Sequence, residues 1–265
     1  HNQMKAIYSY KIFSDQRKPL DKTFWKLAAY SVKSASKYYR TVLYSDEESG
    51  KLFDRHGIYF DEYHILPEIE NYKGRVYSVP KIYAMIAEKE PYIHLDFDSV
   101  ILEEIISTHT ITYAYTEVDL INLAGYARID YVFGGYVRPY RDLLVDIFKD
   151  DIIYPDFNIV PNHSFLMVKN PTIVREIYKR ILSKIPADIL EEVSPTLLEQ
   201  CLLYLYLKEN QTDIGYLSWY SAEKFLEREF GSYKFIHLPF YNEPEKKEEV
   251  EFVLKKLEEQ FGPIE

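Results

Sequence analysis

The run Tyr92-Ile93-His94-Leu95-Asp96-Phe97-Asp98-Ser99-Val100-Ile101-Leu102 decides how the rest of the chain is read. An apolar run ends in two carboxylates one residue apart, and a second apolar run follows. The first part reads as a buried strand, because aromatic and β-branched residues dominate it and Pro91 marks its start. Side chains alternate along a strand, so Asp96 and Asp98 are expected to point the same way at its end. Two carboxylates so placed repel unless something positive sits between them. A divalent cation holding a diphosphate meets that need, and oxygen ligands suit Mg2+ or Mn2+. A bare D-x-D is most often a pair of solvated aspartates in a turn. This pair differs by its place after an apolar strand, where open α/β sheets bind ligands.

Upstream of that run, Met4 to Tyr10 reads as a first strand and Lys11 to Pro19 as a polar loop. Asp21 can cap a helix in which Phe24, Leu27, Ala28, Val32, Ala35 and Tyr39 recur at helical spacing. Thr41 to Tyr44 is a second strand, and Ser45-Asp46 opens a short helix that Gly57 closes. Tyr63 to Leu66 is a third strand, stopped by Pro67. This β-α-β-α-β order marks a parallel sheet with covering helices. Pro67 to Tyr77 is expected as a polar loop carrying Lys73 and Arg75. Ser78 then caps a helix with Pro80 in its first turn and a core face of Val79, Ile82, Tyr83 and Ile86. Lys81 lies off that stripe.

Downstream the pattern is less regular. Thr110 to Thr116 and Tyr131 to Tyr136 read as strands, the second containing Gly134-Gly135 and followed by Arg138, Tyr140 and Arg141. Phe165 to Val168 is a clear strand. Asn170-Pro171 caps a helix whose apolar positions are Ile173, Val174, Ile177, Tyr178, Ile181 and Leu182. Ser194-Pro195 starts another, apolar nearly all round from Leu197 to Leu207 and so expected to be buried. Tyr233 to Leu238 is a last strand. Glu245 to Phe261 is an amphipathic helix with Val250, Val253, Leu254, Leu257 and Phe261 inward. No repeat, low-complexity tract or linker divides the chain.

Composition narrows the classes further. The 265 residues, 47% hydrophobic, can bury the core of one large α/β domain. A net charge of −10 argues against a nucleic-acid binder, which needs a basic face. It leaves a nucleotide ligand open, because a metal can supply positive charge locally. The single cysteine, Cys201, excludes an intrachain disulfide and fits a reducing compartment. His1-Asn2-Gln3 ahead of Met4 reads as a remnant outside the fold. No signal peptide and no apolar run of spanning length is seen, so a cytoplasmic protein is expected, with peripheral membrane contact still open. The 26 tyrosines could stack on sugars and bases, or reflect base composition alone.

With these residues in view, the chain resembles glycosyltransferases of the GT-A fold, with Asp96-Phe97-Asp98 as the D-x-D motif. The likeness runs over most of the chain and is strongest from Ser78 to Leu102. There a helix carrying a basic residue leads into a strand and then L-D-x-D-x-x-x-L. Glycogenin-like, mannosyltransferase-like and bacterial surface-polysaccharide enzymes share that arrangement. Asn158 to Pro171 resembles the strand that lines their acceptor side, and Glu199-Gln200 their acidic-Gln pair. Two features depart from the pattern. Asn162-His163-Ser164 stands where N-x-G is usual, and His237 is followed by Leu238-Pro239 instead of the glycogenin-like Gly and Lys-Pro-Trp.

The resemblance implies an α/β fold: a GT-A, Rossmann-like mixed sheet flanked by helices on both faces. It implies one domain over 1–265, with a nucleotide-binding half about 4–105, an acceptor half about 106–240 and a C-terminal helix about 244–262. It implies a metal-dependent hexosyltransferase using a nucleotide sugar, most naturally a UDP-sugar, and a glycan, lipid-linked or other hydroxyl acceptor. Asp98 and Asp96 would hold Mn2+ or Mg2+, with Asp96 also able to meet the ribose and His237 able to complete the shell. Lys81 would face the leaving diphosphate, where a cation stabilises gathering charge; Arg75 and Lys73 are the fallbacks. Glu199, costly in an apolar helix without a partner, could act as base, nucleophile or stabiliser of the anomeric carbon. Gln200, Asn162 and His163 would meet donor or acceptor hydroxyls. Tyr8 and Ser9, ending the first strand, sit where a uracil packs in such enzymes.

Each assignment has a plainer reading: a solvated lysine, a structural salt bridge for Glu199, a satisfied core histidine for His237. A haloacid-dehalogenase-type phosphatase also carries D-x-D after a strand, but its nucleophile strand opens the chain and its motif ends in threonine, where Val100 stands here. A nucleotidyltransferase would need a glycine-rich loop after the first strand, and Tyr8 to Pro19 has no glycine. A non-catalytic nucleotide-sugar-binding protein is the remaining alternative.

Overall fold

A computed structural model of the chain describes residues 3–12, 21–115, 146–152, 161–193, 195–218, 234–239 and 241–264. The strand expected over 131–136, with Arg138, Tyr140 and Arg141, lies outside the described residues. The strands are β1 (Lys5–Tyr10), β2 (Arg40–Ser45), β3 (Glu62–Ile65), β4 (Tyr92–Leu95), β5 (Ser99–Ile101), β6 (Ile111–Tyr115), β7 (Phe165–Val168), β8 (Ile214–Ser218) and β9 (Phe235–His237). The helices are α1 (Lys22–Ala35), α2 (Glu47–Arg55), α3 (Pro67–Glu70), α4 (Ser78–Ala87), α5 (Pro171–Lys184), α6 (Ala187–Leu190), α7 (Leu202–Glu209) and α8 (Lys247–Phe261).

Seven strands form one mixed sheet in the order β3-β2-β1-β4-β7-β6-β8. β1, β2, β3 and β4 are parallel, and β7 runs antiparallel to both β4 and β6. All of β4 and β7 is buried, as expected of inner strands covered on both faces. On one face α4, α5 and α7 pack through Val79, Ile82, Val174, Ile177, Leu202 and Leu203. On the other, α1 and α2 bring Phe24, Ala28, Val32 and Phe53. The fold is thus a Rossmann-like mixed α/β sheet flanked by helices.

Local chemistry explains several boundaries. The Asp21 side chain accepts the Phe24 backbone N–H at 2.8 Å and so fixes the start of α1. Gly57, at φ +70°, closes the turn after α2 without the strain another residue would carry. At the first residue of β1, the Lys5 ammonium meets Glu88 at 3.2 Å, and Glu88 also accepts from the Tyr44 hydroxyl at 2.8 Å. That ion pair is buried, and it stands at the N-terminal end of the strand, away from its C-terminal edge.

Five features differ from the sequence expectation, the first being that Ser78 does not cap α4: it is already the first helical residue, and Tyr77 stands at the N-cap. Pro67 starts the short helix α3 in place of the expected loop, because its fixed φ suits a first helical turn. β8 was not foreseen, and it pairs parallel with β6 at the sheet edge. Gly215 in β8 lets the His109 ring lie close over the strand, and an added Cβ would come within 2.1 Å of His109 Cδ2 and push that ring aside. β9 does not join the main sheet. It pairs antiparallel with β5, and this ribbon packs between α1 and α8 through Leu27, Val100, Ile236, Val253 and Leu257. Finally, the apolar helix is not uniform: residues Leu197–Cys201 form a π-helical turn ahead of α7.

Candidate active site

The sheet topology locates a cleft. β1 bonds β2 on one side and β4 on the other, so the chain winds outward to β3 and then crosses back to β4. The reversal opens a crevice at the C-terminal ends of β1 and β4, the usual ligand position in open α/β sheets. A cleft of about 790 Å3, counting the solvent in its mouth, lies there. Ser9, Tyr10 and Lys11 line it from the end of β1, and Asp96, Phe97 and Asp98 from the end of β4. Phe24, Tyr77, Pro80, Lys81, Glu199 and Tyr241 complete it.

The two aspartates do not ride on the strand. β4 ends at Leu95, and the Ser99 N–H donates to the Asp96 carbonyl at 3.1 Å, closing a tight turn. Strand alternation therefore no longer orients the pair, and each carboxylate meets its own nitrogen partner. Asp96 Oδ1 accepts from Lys81 Nζ at 2.8 Å, while Asp98 Oδ1 lies 3.4 Å from His237 Nε2. His237 is placed by the ribbon, where it pairs with Ser99, and its Nδ1 shares a hydrogen bond of 2.9 Å with the Tyr115 hydroxyl.

Lys81 is buried at 7% exposure, not solvated, because α4 is covered nearly all round. An ammonium has three donors, and Lys81 directs them to Asp96 Oδ1, Glu199 Oε1 and the His163 carbonyl. It can turn toward a diphosphate only by releasing one of these partners. Glu199 is 4% exposed on the π turn, with His163 Nδ1 at 3.4 Å on its other side. The partner that an acid in this apolar helix requires is therefore Lys81.

Electrostatics follow from these contacts. Burial pushes Asp96 up to about 6, against the pull of Lys81 and with the repulsion of Glu199 and Asp98. Its side chain keeps 37% exposure, so solvent in the mouth offsets part of that burial. Burial also opposes charge on Asp98 and Glu199, but both carboxyls stay below their ordinary value. His237 prevails at Asp98, and Lys81 with His163 at Glu199. Burial works against charge on Lys81 too, yet Asp96 and Glu199 hold its ammonium above the usual range. Burial and the Lys81 charge push the His94 imidazole well down, so it is neutral.

The structure brings Asp96, Asp98, Lys81, Glu199, Ser9 and His237 together around the cleft, with Ser9 sharing a 2.9 Å hydrogen bond with His94 Nε2. It does not bring Tyr8 there. Tyr8 is fully buried under α1, its hydroxyl 3.1 Å from Ser31 Oγ and its ring stacked on Phe97. The tyrosine that reaches the cleft is Tyr10, the last residue of the strand. Asn162 is also buried away from the cleft lining, its Oδ1 accepting the Ser164 N–H at 2.9 Å. Gln200 is half-buried and outside the lining, and His163 lies fully buried beneath Glu199. Sequence reasoning missed Tyr10, Lys11, Phe24, Tyr77 and Tyr241. The end of β1 was the available signal, but the strand order that makes it a cleft wall was not.

Among the described residues, no group of three or more His, Cys, Asp or Glu side chains is set to hold a metal by itself. Asp96 and Asp98, with His237 beside Asp98, could offer part of a shell. That fits an ion arriving with a diphosphate, because Mg2+ commonly takes one or two carboxylates and fills its shell with phosphate and water. Among the described residues, Asp98 Oδ1 is buried with no hydrogen bond of good geometry, His237 Nε2 standing 3.4 Å away, which leaves it an acceptor suited to a cation.

Fold and cleft together define a Rossmann-like α/β protein with an acidic cleft at its topological switch point. No family model matches the chain, and no curated protein matches it. Among solved structures, it is similar to the inositol-1-phosphate CTP transferase from T. maritima, at 10% identity over 98% of each chain with a TM-score of 0.41. A likeness that distant carries no inference about activity. No helix among the described residues is long and apolar enough to cross a membrane.

Proposed function

We propose that this protein is a metal-dependent glycosyltransferase that moves a hexose from a nucleoside diphosphate donor, a UDP-sugar, to a hydroxyl of a glycan or lipid-linked acceptor. The observation that carries the reading is the acidic cleft at the switch point, with Asp96 and Asp98 at its mouth and Glu199 clamped behind Lys81. Of the described charged residues lining it, three are carboxylates and two are lysines, Lys11 and Lys81. Such a lining repels a bare diphosphate and favours one that arrives with a cation.

Asp98 and Asp96 would hold that ion, with His237 behind Asp98. Bound there, Mn2+ or Mg2+ supplies positive charge to the leaving diphosphate. Lys81 keeps Asp96 and Glu199 apart and oriented. Glu199 stays ionised, so it can take the acceptor hydroxyl's proton or stabilise positive charge at the anomeric carbon. Tyr10, Phe24, Phe97 and Tyr241 offer ring faces and edges to a base or sugar.

A thermal-shift panel of nucleotide sugars, with and without Mn2+, tests the donor. A ligand at a hundredfold excess over its Kd stabilises by about 2.7 kcal/mol. A rise confined to one donor class in the presence of metal supports the reading. Asp98→Ala should then abolish transfer while the protein stays folded, and full transfer by that variant refutes the assignment.

A further inference from the structure

The helix that delivers Glu199 contains an irregularity with a specific partner. In the π turn Leu197–Cys201 each carbonyl is bonded one residue later than in an α-helix. That extra residue turns the upstream part of the helix by about 100° relative to the downstream part. α7 cannot absorb the rotation, because Leu202, Leu203, Leu205 and Leu207 lock it in the core. Glu199 sits at the centre of that turn, with its carboxylate against Lys81. A π turn also leaves backbone carbonyls poorly served, and buried ones need a partner. Tyr178, fully buried on α5, donates its hydroxyl to the Glu199 carbonyl at 2.9 Å.

We infer that the Tyr178 hydroxyl is a positioning group: it holds the π turn and thereby keeps the Glu199 carboxylate in the cleft. The inference rests on the reading of Glu199 as a working acid of the proposed transferase. Tyr178 touches the backbone, not the carboxylate, so it acts through geometry. Tyr92 provides an internal control. It is a tyrosine of equal burial on the adjacent β4, and its hydroxyl has no hydrogen-bond partner among the described residues.

Tyr178→Phe and Tyr92→Phe each remove one oxygen and keep the ring. Crystal structures of both variants, with donor kinetics beside them, form the test. In Tyr178→Phe the turn over 197–201 should relax toward α-helical register and Glu199 should leave Lys81. The kcat should fall roughly 100-fold, the scale for a misplaced catalytic group. The donor KM should stay within about threefold, because the interaction lost belongs to the reacting centre. Tyr92→Phe should leave both the turn and the kinetics unchanged. A Glu199 that stays against Lys81 in Tyr178→Phe overturns the inference, whatever the rate does. If the unaltered protein turns over no nucleotide sugar, the transferase reading fails, and the position of Glu199 in the variant still decides the role of Tyr178.

Discussion

Replacing Lys81 with methionine tests the buried charge bridge most directly. Lys81→Met keeps the apolar stem and removes the ammonium, leaving Asp96 and Glu199 without the cation between them. Removing one partner of a buried ion pair costs about 3–5 kcal/mol. For a protein of this size that is roughly a 10 °C fall in Tm. The exposure of Asp96 softens the loss on its side, and Glu199 carries most of it. The pH dependence has a definite sign. In the unaltered protein Glu199 is held below its ordinary value, so its contribution is present above the unfolded carboxylate pKa and is lost as pH falls through the folded one. Without Lys81, burial and mutual repulsion lift both acids. Stability is then greatest below the unfolded pKa and drains away as pH rises through the lifted value. Urea unfolding at about pH 5 and pH 8 should therefore show a deficit that widens at the higher pH. Adding Glu199→Gln should recover part of it. A deficit under about 1 kcal/mol, equal at both pH values, would mean the lysine behaves as a surface pair and would refute the bridge.

Three further outcomes are expected. Tyr10→Ala should weaken nucleotide affinity roughly tenfold, the scale of one lost base–ring contact, while Tyr8→Phe should leave it unchanged; calorimetric titration that finds the reverse would return the base to Tyr8. Affinity for Mn2+ with a nucleoside diphosphate should fall as pH drops through about 6, because a proton then competes for Asp96; a flat profile would remove Asp96 from the ligand set. Glu88→Gln should cost about 3 kcal/mol and leave kcat intact, since the Lys5–Glu88 pair stands at the far end of β1 from the cleft; an equal loss of both would contradict that separation.

Much of this architecture was legible because local signals agreed with the tertiary outcome. Asp21 caps α1 through its own side chain, and Phe165–Val168 is a buried strand with the bounds its composition suggests. The β-α-β-α-β opening already required parallel strands with covering helices. What stayed hidden depends on partners distant in sequence. Lys81 looked peripheral on its helix, since only the return of Glu199 from far downstream explains a buried ammonium. Tyr8 and Tyr10 share a strand face, and nothing local says that the first is fully buried under α1 while the second also reaches the cleft. β8 carries a glycine that weakens its signal, and the ring that lies over it, His109, is remote in the chain. The π turn reads as ordinary helix because its letters are ordinary helix formers.

The β5–β9 ribbon has a consequence for biosynthesis. The Leu238 N–H bonds the Asp98 carbonyl at 2.9 Å, and His237 stands beside the Asp98 carboxylate. During translation the central strands can assemble while the segment that braces Asp98 is still inside the ribosome. The main sheet would therefore form before the Asp98 turn is braced. A nascent chain halted ahead of β9 should fold its main sheet and yet leave the Asp98 turn unbraced, so ordering of that turn waits for a segment made long after its own strand.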